Sequence, residues 1–254
     1  VLPLRPRKDS RRTMSIGQNC HIHPTAVIGD GVVIGDDVTV GPHAVLTGPL
    51  TIGDRCWIGA GAVLGAPPEI LGAAHPASWS EPAPHRGIVI GADTTIRELS
   101  TVHQGSERVT TVGAGCFVMN RVAIEHDVQV GDRCVVSAGS TFAGHVSVGA
   151  GANIGMHTVV HQRRVVGAGV VTGMGTVVVK DVPPYAKAFG NPVELHGVNR
   201  IGMSRSGIAD ADIDAVALLY TPGSSDVAVP EALAPAFEWW RALAAKPLGF
   251  AITV

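Results

Sequence analysis

Large aromatic side chains are scarce in this sequence, at 4% of 254 residues. A conventional core of this length relies on many rings, so the interior has to be filled by smaller, branched side chains. Charge is also sparse, with 16% charged residues and a formal net charge of −2. That gives no basic surface for nucleic acid and no bias toward an acidic membrane. No apolar run approaches the roughly 18 residues of a membrane span, and the basic opening VLPLRPRKDSRRTM leads into no hydrophobic signal region. A soluble cytoplasmic chain without a membrane span is expected, with residues 1–15 as a flexible arm of no assigned function. The four cysteines form no CxxC pair, which argues against a zinc ribbon or a disulfide framework.

What is abundant is glycine, 32 residues, arranged with a period of six. The chain reads IGDGVV, IGDDVT, VGPHAV from Ile28, resumes as IGADTT from Ile90, and runs unbroken from Val112 to the hexad beginning at Val178. Position one of each hexad is Ile, Val or Leu, and position five is small. Neither a helical period nor plain alternation explains a fixed small residue with recurrent glycine. A short strand and a turn repeated every six residues describe one side of a triangular solenoid. The expected fold is an all-β left-handed parallel β-helix over residues 16–189, with a long loop at 66–87. A C-terminal α-helical domain is expected over 190–254, because IADADIDAVALLY and PEALAPAFEWWRALAAK have helical spacing and acidic or proline starts. Cys20, Cys56, Cys116 and Cys134 all fall at position five and read as small core fillers.

Counting hexads places those beginning at Leu64, Val102, Ile124, Phe142, Val160 and Val178 on one side of the prism. Both interruptions of the repeat leave from that side, as does a series of histidines: His103, His126, His145 and His161, the last followed by Gln162. Position three is His126 in one coil and Gly144 in the next, about one strand spacing away. Acyl transfer requires a base for the attacking group and a donor for the oxyanion, and an imidazole beside an unobstructed main-chain amide can supply both. Asp127 or Glu125 could orient that imidazole.

The segments EHDVQVGDRC, FAGHVSV, VVHQ, KDVPPY, Gly190-Asn191, Gly197 to Asn199 and Arg205-Ser206-Gly207 resemble the UDP-N-acetylglucosamine O-acyltransferases of lipid A synthesis. The resemblance runs from about Cys20 through the helical tail. It implies a homotrimeric acyltransferase, with His126 as general base, Asp127 as its partner and the Gly144 amide as oxyanion donor. It further implies that His103, His145, His161, Gln162 and Arg205 contact the acceptor or the donor arm, and that Met174 and Pro192 limit the acyl pocket to a short or medium chain. The donor would be acyl carrier protein or a CoA thioester, and the acceptor a UDP-amino sugar or related molecule. No bound cofactor, metal or nucleic acid is expected. Ala123 stands where relatives usually carry a second histidine, and the loop lacks an expected lysine, which points to an altered acceptor side. Two other readings compete on the same residues: a metal-dependent hydratase of the γ-carbonic-anhydrase type, and a non-catalytic trimeric solenoid.

Overall fold

The structure is a computed structural model describing residues 14–72, 75, 85–221 and 227–249. Residues 1–13 of the N-terminal arm and half of the 66–87 loop lie outside the described residues. Three sheets of eight, ten and eight strands make the sides of a solenoid of about nine turns, and almost every strand pairs in parallel with the strand one coil away. The hexad count matches the register residue by residue: Leu64, Val102, Ile124, Phe142, Val160 and Val178 are successive neighbours in the third sheet. All six are fully buried. Position one therefore fills the prism axis, and branched aliphatics at every third strand replace the missing aromatics.

Each corner needs one residue in the left-handed region. Position four supplies it with Asp37, Arg55, Asp93, Arg121, Asp127, Arg133, His145 and Arg163, at φ between 54° and 63°. Position five then turns inward beside the next coil, where only a small side chain fits. Cys56, Cys116 and Cys134 are buried there as free thiols, each donating to a carbonyl of the following coil at 3.1 to 3.2 Å.

After Val178 the repeat ends. Ala186–Phe189 still pairs in parallel with Val171–Thr172, but Glu194–Val198 returns antiparallel to it, so the segment expected to open a helical region begins with a strand. Among the described residues three α-helices follow: α1 (Arg200–Arg205), α2 (Asp210–Leu219) and α3 (Ala234–Leu243). Asn199 caps α1 through its side chain, and Asp210 and Asp212 lie in the first turn of α2, where the helix dipole favours them. Phe237 and Trp240 of α3 are buried, whereas Trp239 is partly exposed. The buried carboxylate of Asp181 fastens the segment after α3, accepting from Arg164 at 3.1 Å and from the backbone amides of Val165 and Ala245. Among the described residues, no helix is long and apolar enough to cross a membrane.

Candidate active site

The corner after the third sheet brings His126, Asp127, Gly144 and His145 together. Asp127 occupies the left-handed position and its side chain folds back, so that its Oδ2 accepts from His126 Nδ1 at 2.7 Å. The short loop that interrupts the repeat after His103 wraps around the same carboxylate. The amides of Ser106, Glu107 and Arg108 donate to Oδ1 at 3.0, 2.8 and 2.7 Å, and the Ser106 hydroxyl donates to Oδ2 at 2.6 Å. A Cβ on Gly105 would overlap the Arg108 carbonyl, which explains a glycine at the start of this loop. Burial would raise the pKa of Asp127. The hydrogen bonds from Ser106, Arg108, His126 and Glu107 outweigh that and hold it well below the usual carboxylate range.

The bond to Asp127 occupies His126 Nδ1 and leaves Nε2 as the other ring nitrogen, available for a further contact. Gly144 lies against that part of the ring: a Cβ there would be 2.5 Å from both Nε2 and Cε1 of His126. Among the described residues the Gly144 N–H has no hydrogen-bond partner, while its carbonyl accepts from Arg163. A free amide donor and a free imidazole nitrogen thus occupy adjacent coils. His145 meets His126 edge to face, with centroids 5.2 Å apart. Burial lowers the pKa of His145, against an opposing attraction from Asp127. Arg108 reaches over the turn to the Asp127 carbonyl at 2.7 Å and the His145 carbonyl at 3.3 Å.

The four histidines share one edge but not one hexad position. His103 and His161 occupy position two, His126 position three and His145 position four. His103 is buried and its Nδ1 donates to the Pro67 carbonyl at 3.0 Å, tying down the start of the long loop. His161 and Gln162 are exposed one coil beyond Gly144. Arg205, at the end of α1, is exposed, as are Met174 (74%) and Pro192. Within the single chain, Met174 and Pro192 do not share a cavity: Pro192 lines one of about 440 Å³ that Met174 does not reach. A larger cleft of about 960 Å³ lies between the first sheet and α3, and none of the expected site residues lines it. Ser106 and Arg108 are the contributors that the sequence pattern did not reveal. Their only signal was that the repeat breaks before Thr110.

His126, Asp127 and His145 have ligand atoms close enough together to suggest a metal centre. The carboxylate does not fit one. Its two oxygens already accept five donors, from Ser106 twice, Glu107, Arg108 and His126, against roughly four lone-pair sites. A cation bound there would have to displace them.

Residues 13–48 and 110–144 match the family described as bacterial transferase hexapeptide (six repeats), and residues 49–67 the hexapeptide repeat of succinyl-transferase. Residues 181–232 match domain 2 of Udp N-acetylglucosamine O-acyltransferase. A UDP-N-acetylglucosamine O-acyltransferase of Burkholderia multivorans is 43% identical over 145 residues, 54% of this chain and 55% of that protein. The chain thus spans about half the length of the curated relatives it matches. Among solved structures, the UDP-N-acetylglucosamine acyltransferase of Bacteroides fragilis aligns with a TM-score of 0.81 at 26% identity, covering 94% of this chain and 96% of that one. The corresponding protein of Moraxella catarrhalis aligns at 0.59 and 29% identity, covering 90% of each chain.

Proposed function

We propose that the chain is a hexapeptide-repeat acyltransferase related to the UDP-N-acetylglucosamine O-acyltransferases, and that it transfers an acyl group from a thioester to a UDP-sugar. The observation that carries this reading is the pairing of His126, held by Asp127, with the unbonded amide of Gly144 on the next coil. His126 Nε2 takes the proton of the acceptor as it attacks the thioester carbonyl, and the imidazolium that forms is stabilised by Asp127. The Gly144 N–H receives the oxyanion, and the thiol leaves with the proton from His126.

The donor is acyl carrier protein, named in the curated relatives, or a CoA thioester. His103, His145, His161, Gln162 and Arg205 are assigned to substrate binding, and Met174 and Pro192 to limiting the chain to short or medium length. We place the protein in the cytoplasm as a homotrimer. Support for the trimer comes from Met156, Val159 and Met174, exposed at 43%, 44% and 74% on the third sheet or the turns leading into it. Exposed apolar side chains grouped in this way suit a subunit contact. Such a contact would also enclose an edge that is open in one chain.

The test is an assay of acyl carrier protein and CoA thioesters, from acetyl to lauroyl, against UDP-N-acetylglucosamine and related UDP-sugars. The expected result is acyl transfer that His126→Ala abolishes. Full activity of that variant would overturn the assignment of the base.

A further inference from the structure

The two oxygens of the buried Asp127 carboxylate are held in different ways. Oδ1 receives three main-chain amides, those of Ser106, Glu107 and Arg108. Oδ2 receives two side chains, His126 Nδ1 at 2.7 Å and the Ser106 hydroxyl at 2.6 Å. The hydroxyl distance is that of a charge-assisted bond from a hydroxyl to a carboxylate, the stronger kind. Amides on Oδ1 anchor that oxygen but leave Oδ2 to be placed by its own donors, because the terminal torsion of an aspartate has a broad minimum. One of those donors, the imidazole, is the group that has to be aimed. The Ser106 hydroxyl is the other, and it is fixed independently of the ring.

Ser106 owes that fixity to a loop tied at both ends. The amides of Gly105 and Thr110 both donate to the Gly87 carbonyl, at 3.3 and 3.1 Å, and the Gln104 amide donates to the Ala66 carbonyl at 2.9 Å. Thr110 Oγ1 in turn accepts from the Asp127 amide at 2.9 Å. None of these bonds uses the Ser106 hydroxyl, so the loop keeps its path when that one group is removed. The far side of the ring leaves little tolerance for error. A Cβ on Gly144 would stand 2.5 Å from His126 Nε2, so a small swing of the imidazole changes where Nε2 points relative to the neighbouring amide.

We propose that Ser106 is a positioning residue for acyl transfer: its hydroxyl sets the plane of the Asp127 carboxylate and thereby aims His126 Nε2 at the space beside the Gly144 amide. The inference rests on the acyl-transfer reading of this corner and adds to it a residue from outside the repeat. Ser106 touches no reacting atom and acts through Asp127 alone.

The test compares wild type with Ser106→Ala and Ser106→Cys in the full chain, by steady-state kinetics and by nitrogen-15 correlated NMR of the His126 Nδ1–H. Ser106→Ala should lower kcat by about 10- to 100-fold, the upper end being the cost of a misplacement near 1 Å, and leave KM nearly unchanged because no substrate contact is lost. Ser106→Cys keeps the shape but offers only a weak donor, so its kcat should fall between the two. In wild type the Nδ1–H, bonded to a carboxylate, should appear as a downfield resonance protected from exchange with water. In Ser106→Ala it should move upfield and exchange faster, and Ser106→Cys, which keeps the shape of the loop should the alanine variant fail to fold, should lie between. An unchanged resonance would overturn the inference, whether or not the melting temperature falls, because a hydroxyl that only stabilises the loop leaves the His126–Asp127 bond as it was. So would an unchanged kcat in Ser106→Ala. Absence of acyl transfer by wild type would remove the acyltransferase reading instead, and the resonance would still report whether Ser106 orients the imidazole.

Discussion

His126 and Asp127 are adjacent in sequence and also hydrogen-bonded through their side chains, Nδ1 to Oδ2 at 2.7 Å. Neighbouring residues on a strand would point to opposite faces. These two can meet because Asp127 is at φ 63°, which ends the strand and folds its side chain back. The same turn offers the carboxylate to the 105–109 loop, so His126, Asp127 and the loop form one unit. Substituting His126 by Ala is therefore expected to lower kcat by about 10²- to 10⁴-fold, the usual value of a general base. Thermal unfolding should show little change, because the ring makes no core contact on the prism axis.

Gly144 tests the geometry from the other side. Gly144→Ala places a methyl 2.5 Å from the His126 ring and forces the imidazole to move. The expected outcome is a kcat reduced by about 100-fold, the order seen for a misplacement near 1 Å. Its melting temperature should stay close to that of wild type, and steady-state kinetics beside a thermal melt separate the two effects.

The two titrating groups at this corner make stability fall with acidity in successive ranges. His145 has a folded pKa below its ordinary value near 6.5, so the unfolded chain binds the proton first. Its contribution is present above about pH 6.5 and is lost as pH falls toward the lowered value. Asp127 is also depressed, and its contribution is present above about pH 4 and is lost as pH falls further through its folded pKa. Melting temperature followed from pH 8 to pH 3 should decline in both windows, and His145→Gln should flatten the upper one.

Asp181 predicts a separate effect at the end of the solenoid. Asp181→Ala leaves the buried Arg164 guanidinium without its carboxylate and removes the acceptor for the Ala245 amide. A loss of about 3 to 5 kcal/mol is expected for a broken buried pair. Limited proteolysis should then cut near residues 244–248 well before the β-helix is attacked.

Met174 addresses donor length. It is 74% exposed in the single chain, at the turn before Val177–Val178. If it closes the acyl site against a neighbouring subunit, Met174→Gly should move the preferred donor to a longer chain. A series of acyl carrier protein thioesters assayed on both proteins reads the shift, and an unchanged optimum would refute that placement.

Much of this was legible in one dimension because a solenoid is a nearly one-dimensional fold. Each coil is specified by its own eighteen residues, so counting hexads placed Leu64 beside Val102 and Ile124 beside Phe142. The same count placed His126 and Gly144 on adjacent coils. The donors that hold Asp127 were not legible, since Ser106 and Arg108 belong to a segment that departs from the repeat and obeys no period. Nor could counting separate the histidines by role. His103 is drawn away to the Pro67 carbonyl, while His126 is held by its own neighbour, a difference made by loops rather than by register.

The sequence by itself determined the prism, its core of branched aliphatic and small residues, and which side carries the histidines. Position one must fill the axis, position four must accept the left-handed turn, and position five must be small, and these demands act within a single coil. Only the tertiary structure decided that Asp127 is saturated by five donors while Glu125, two residues away, keeps one enclosed oxygen unpaired. Both are carboxylates at one corner. What separates them is the company brought by two loops from other coils, and long-range hydrogen bonding leaves no periodic trace in the chain.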